Sequence, residues 1–220
     1  MDNPIAYLTR GNSYLNPKLE IIVDEAMSLE SKEILKENLE KKLYSIISTE
    51  LSDLVNLSKS NLKNNYARAL CYQLFENNGV IKREKVHEMI KKITKEDRLI
   101  LRKAGIKIGR YHIFLPRMLK PAAVDLRIKL WKLYYNEDKK NVIPKSGLNF
   151  LKNETNKNDK FLLICGFENF NKFYVRVDIL ERLFIKIIDN TKDGTFKIDS
   201  DMINLIGCSK ENFFKLLKFL

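Results

Sequence analysis

The chain has 220 residues, a hydrophobic fraction of 45% and a formal net charge of +12. That length supports one large or two small cores, and no run approaches the roughly 20 apolar residues that span a bilayer. Cys71, Cys165 and Cys208 stand far apart without pairing or zinc-ligand spacing, and MDNPIAYLTRGNSY has no signal-peptide profile, so the reading is a cytoplasmic protein with reduced thiols and no metal.

The charge is unevenly spread. Residues 1–81 carry 9 basic and 11 acidic side chains, residues 82–140 carry 18 and 7, and residues 141–220 carry 13 and 10. Almost all the excess sits in the middle third. Such clustering is the footprint of a polyanion partner. A Lys- and Asn-rich composition alone would not leave the first third acidic.

In chain order, residues 1–28 read as extended and turn-like. Gly11-Asn12-Ser13 is expected to turn, and Leu19, Ile21 and Val23 alternate as in a strand. Helix signals begin near Ser28–Ser31. Leu35, Leu39, Leu43, Ile46, Ile47, Leu51, Leu54 and Val55 form an apolar stripe at helical spacing, suited to intramolecular packing ahead of a coiled-coil seam. Asn61–Asn77 is a second helix, ended by Asn77-Asn78-Gly79. Lys82–Lys92 is a third, and its His87 has no second ligand or acid partner at useful spacing, so it reads as a plain surface or boundary histidine.

Thr94 with Asp97 forms a capping box that opens the helix Lys95–Lys103, which stops at Gly105. Ile106, Ile108, Tyr111 and Ile113 predict a short strand broken near Gly109. Pro116 ends it, and Pro121 sits at the first turn of the next helix, whose Val124, Ile128 and Trp131 share a face. Residues 141–160 read as a linker or loop, within the polar run NEDKKNVIPKSGLNFLKNETNKNDK. Phe161–Phe167 and Phe173–Val177 predict a hairpin, and Asp178 with Glu181 predicts a second capping box. A short helix from Asp199 or Ser200 ends at Gly207, and Ser209 caps the last helix, Lys210–Leu220. This spacing suits either an ordinary helical hairpin or a helix-turn-helix.

The fold class is therefore mainly α with minor β. A helical, bundle-like domain over 1–140 precedes the linker and a small α+β unit over 161–220. No phosphate loop, clustered metal-binding carboxylates or nucleophile arrangement stands out, so no enzymatic activity and no cofactor are expected of this chain by itself. Leu220 falls inside an apolar helix, which reads as an excised piece of a longer protein; the initial Met does not decide otherwise.

The stretch GIKIGRYHIFLPRMLKPAAVDLRIKLW resembles a segment that follows the motor domains of alphaproteobacterial superfamily-two helicases, relatives of the mitochondrial Suv-type RNA helicases. In that group a glycine-rich strand with a following aromatic leads into an LP-x-LLKPAA-x-x-LR-x-x-LW helix. Gly105, Gly109, Tyr111, Leu115, Pro116, Leu119, Lys120, Pro121, Ala122, Ala123, Leu126, Arg127, Leu130 and Trp131 match in place. ARALCYQLFENNGVIKRE resembles the helix upstream, and VRVDILERL and DSDMINLIGCSKENFFKLLKFL resemble the region downstream. The resemblance implies a C-terminal accessory, non-motor region whose partners are the helicase motor domains and RNA in preference to DNA.

From the residues, the expectation is a module that guides a single strand, with no membrane partner. Arg102, Lys103, Lys107, Arg110, Arg117, Lys120, Arg127 and Lys129 would meet phosphates, and Tyr111, His112 and Phe114 would offer a stacking face. Lys210, Asn212 and Lys215 form a secondary candidate on the last helix. The alternative is a helical protein-interaction scaffold that docks through the Leu35–Val55 stripe on a motor or another partner.

Overall fold

The computed structural model describes residues 4–22, 28–57, 62–136, 143–152 and 158–219. Val23, Asn61, Leu220 and parts of the expected linker (141–142 and 153–157) lie outside them. Helices dominate the described residues, and each sheet has two or three strands, so the chain is mainly α with minor β.

An antiparallel hairpin of β1 (Ala6–Ser13) and β2 (Asn16–Ile21) opens the fold. Its turn lies at Tyr14-Leu15, later than expected. Gly11 sits within the irregular part of the strand, where a Cβ would strike the Asn16 backbone. Helix α1 (Leu29–Glu50) is capped by Ser28, and after Leu51 the chain restarts as α2 (Ser52–Asn56). The apolar stripe divides along its length. Leu35, Leu39 and Leu43 are half-buried, whereas Ile47, Leu51 and Leu54 are fully packed.

Helix α3 (Asn65–Glu76) starts from the Asn64 cap, four residues after the expected start. The helix expected over Lys82–Lys92 is only half present. Val80–Lys82 is strand β3, a 3-10 turn covers Arg83–Val86, and α4 is His87–Lys92. The strand wins because Lys82 pairs with His112 and Ile81 with Ile113, long-range partners that local periodicity does not reveal. Helix α5 (Lys95–Lys103) is capped by Thr94 as expected. In place of the expected broken strand stands a hairpin, β4 (Lys107–Ile108) against β5 (His112–Phe114), and β5 lies between β3 and β4. A 3-10 turn, Pro116–Leu119, then leads into α6 (Pro121–Tyr135).

Strand β6 (Phe150–Lys152) lies within the stretch expected to be a linker. It joins a sheet with β7 (Phe167–Phe170) and β8 (Phe173–Arg176), in the order β6-β8-β7. The expected strand Phe161–Phe167 is mostly helix α7 (Asp159–Ile164), capped by the Asn158 side chain. A short apolar run does not distinguish the two states. Here packing decides: Phe161, Leu162 and Ile164 are buried, with the Phe161 ring 5.7 Å from Trp131 of α6. Helix α8 (Val177–Asn190), a two-residue hairpin pair β9 (Thr191–Lys192) and β10 (Thr195–Phe196), α9 (Ser200–Ile206) and α10 (Lys210–Leu217) complete the fold.

One core gathers Leu51, Leu54, Leu70, Leu74, Leu101, Ile113 and Leu130, and another gathers Phe173, Leu180, Leu183, Ile206 and Phe213. Two smaller clusters cross between the halves. Ile128 and Trp131 pack with Phe161 and Phe167, and Val80 and Phe114 pack with Val177.

Candidate nucleic-acid interface

The basic stretch folds around one carboxylate. Glu181, on α8, reaches the β4–β5 turn and accepts hydrogen bonds from the backbone amides of Arg110 (2.6 Å), Tyr111 (2.8 Å) and His112 (2.8 Å). Three converging amides make a small anion-binding concavity, and here the chain fills it with its own side chain. Gly109 stands beside it because any Cβ there would collide with the Glu181 carboxyl group. The capping box expected of Asp178 and Glu181 is therefore absent. Helix α8 starts at an Arg176 cap without a side-chain bond, Asp178 takes the Arg176 guanidinium at 2.7 Å, and Glu181 serves the turn instead.

A second buried network lies next to the first. His112 Nε2 is 2.7 Å from Glu168 Oε2, and Lys82 Nζ is 2.7 Å from Glu168 Oε1. Burial by itself would raise the Glu168 carboxyl. Hydrogen bonds and charge from His112 and Lys82 outweigh it and hold the group below its ordinary value of 4.5.

These networks overturn part of the expected binding set. His112 is buried and spent on Glu168, and Phe114 is fully buried, so neither ring is a stacking surface. Arg127 is also fully buried. Its guanidinium donates to Asn78 O at 2.6 Å and Met118 O at 2.5 Å, tying α6 to the turn after α3 and to the 3-10 turn. The α6 helical wheel brings Arg127 onto the same side as Ala123 and Leu130, away from solvent.

The other cations do reach the surface. Arg102 and Lys103 are exposed at the end of α5, Lys107 on the edge strand β4, Arg110 at the hairpin turn, Arg117 in the 3-10 turn, Lys120 at the α6 cap and Lys129 on α6. Arg117 contacts Asp53 Oδ1 at 3.1 Å, and Asp53 also lies against Gly105, so the α2, α5 and 3-10 segments meet there. Lys129 pairs with Asp125 at 2.7 Å on its own helix. Tyr111 is half-buried, its ring centroid 4.2 Å from that of Phe184.

Sequence reasoning missed the cleft on which Arg110 and Tyr111 open. It encloses about 590 Å³ and draws Lys82, Arg83, His87 and Arg110 from the first half of the chain, with Phe170 and Phe219 from the second. Lys82 and Arg83 were legible as part of the basic third. Phe219 carried no signal beyond its apolar character, and Glu181 resembled a capping residue.

On α10, Lys210 and Lys215 are exposed and Asn212 is half-buried. Lys215 pairs with Glu211 at 2.5 Å, and Lys210 lies over the Phe214 ring. Phe213 and Leu216 are buried against α8 and α9, as both readings of this helix pair require. Among the described residues there is no group of three or more metal-binding side chains, and no helix is long and apolar enough to cross a membrane. No family model, curated protein or solved structure matches the chain.

Proposed function

We propose that this chain is a nucleic-acid-binding accessory module that guides a single strand and acts beside a helicase motor carried elsewhere. The observation that supports it is the placement of charge. The excess of the middle third remains at the surface, on Arg102, Lys103, Lys107, Arg110, Arg117, Lys120 and Lys129. Phosphate attraction dominates affinity in such modules and requires exposed cations rather than a fixed base-reading geometry. The preference for RNA over DNA, and the motor domains as partner, come from the helicase resemblance of the Gly105–Trp131 stretch.

The test is fluorescence anisotropy on a labelled single-stranded RNA across a salt series, with Arg110, Arg117 and Lys120 exchanged for Glu. Affinity is expected to fall, and the slope of log affinity against log salt to drop by roughly one for each phosphate that the protein no longer neutralises. Unchanged affinity at low salt overturns the proposal. That result would move the assignment to the scaffold reading, although its Leu35–Val55 stripe is already packed into the chain's own core at Ile47, Leu51 and Leu54.

A further inference from the structure

The cleft between the two halves has a composition that the exposed basic edge lacks. It combines cations with aromatic rings in a concave site, and its volume of about 590 Å³ falls within the usual range for a small-molecule site. Phe219 lines it with 47% of its surface exposed, an apolar ring left in water. Tyr111 lines it too, steadied by its contact with Phe184.

One guanidinium, and the backbone that carries the other, are held in place before any ligand arrives. Glu181 fixes the backbone at Arg110 and Tyr111 through two of its three amide bonds. Arg83 is anchored by one Nη1 bond of 2.7 Å to Gly109 O, which leaves most of its five donors for another acceptor. Two carboxylates share the lining. Glu168 is matched by Lys82 and His112, so its charge is largely answered within the protein. Glu84 sits exposed in the 3-10 turn beside Arg83.

We propose that this cleft takes one nucleotide of the bound strand, its base against the rings of Tyr111 and Phe219 and its phosphate on Arg110 and Arg83. The inference rests on the single-strand reading above and deepens it. Bases stack on aromatic side chains whatever their identity, so the pocket would add affinity without sequence preference. Glu181 is then a positioning residue: it touches no nucleotide but sets where Arg110 and Tyr111 stand.

The experiment uses the full chain and a short single-stranded RNA with 2-aminopurine at alternate positions. Binding by the parent protein is expected to quench the fluorophore as the base stacks. Phe219→Ala, a change at an exposed position, is expected to abolish most of that quenching and weaken affinity about tenfold, with an unaltered salt slope. Arg110→Gln is expected to keep the quenching and lower the salt slope by about one. Equal quenching and affinity in Phe219→Ala and the parent, with a steep salt slope retained, overturns the pocket and leaves the single-strand reading standing. Absence of binding by the parent at low salt overturns both.

Discussion

Arg127 and Arg117 lie ten residues apart in one basic stretch, yet they belong to different parts of the molecule. Arg127 is sealed in the core between two backbone carbonyls, whereas the Arg117 side chain is 59% exposed and contacts Asp53 at the surface. The same contrast separates His112, locked to Glu168, from Arg110, two residues away and open to solvent. A run of positive residues is thus two structures. One faces inward and joins the halves of the chain, and the other faces outward and is available to a polyanion. Part of what makes the stretch distinctive in sequence, including Gly109 and Arg127, belongs to the inward part.

That contrast predicts a hierarchy of effects. The largest is expected at Arg127. Arg127→Met would leave Asn78 O and Met118 O without their donor in a dry site and cost about 3 kcal/mol. Urea unfolding measures this directly; a cost no greater than that of replacing an exposed arginine would erase the distinction. The Glu-for-cation exchanges at Arg110 and Lys120 are expected to leave the unfolding midpoint close to that of the parent while weakening binding, whereas Arg117→Glu sets a second carboxylate beside Asp53 and lowers it somewhat.

Next comes Gly109→Ala. The added methyl would displace the Glu181 carboxylate, and the amides of Arg110, Tyr111 and His112 would be left without their shared acceptor, at a cost of about 2 kcal/mol. Hydrogen exchange should show faster exchange at those three amides. Unaltered protection there would mean that Glu181 does not hold the turn.

The smallest effect is a pH dependence. Glu168 titrates below 4.5 in the folded chain, so its contribution to stability is present above the unfolded value and lost as pH falls through the folded one. Unfolding midpoints measured on acidification from neutrality should therefore steepen downward below about 4.5. Glu168→Gln should flatten that part of the profile. An equally steep profile in the variant would assign the acid sensitivity to other carboxylates.

Legibility in the sequence followed the range of each interaction. Caps and stops were readable because their partners lie within a few residues, as in Thr94 with Asp97, Asn77-Asn78-Gly79 and Ser209. Strands were readable only in part. Lys82 looks helical until His112 pairs with it, and Phe161–Ile164 looks extended until Trp131 packs on it. For the candidate site, residue type identified the cations but not the side of the fold they would face. Seven of the eleven middle-stretch candidates are exposed, while His112, Phe114 and Arg127 are buried and Tyr111 is intermediate. Glu181 was hidden for a further reason: an acid three residues after Asp178 satisfies a local capping pattern, and the competing acceptor role exists only once α8 lies beside the β4–β5 turn.

By itself, then, the sequence determined the mainly helical class, the ends of most helices and the concentration of positive charge in the middle third, because these follow from local backbone chemistry and from composition. The tertiary structure alone decided which cations are wet, which carboxylates are spent on amides and histidine, and where the two halves form a cleft. Those outcomes depend on interactions that span 71 positions in the case of Arg110 and Glu181, and no short-range pattern in the chain encodes them.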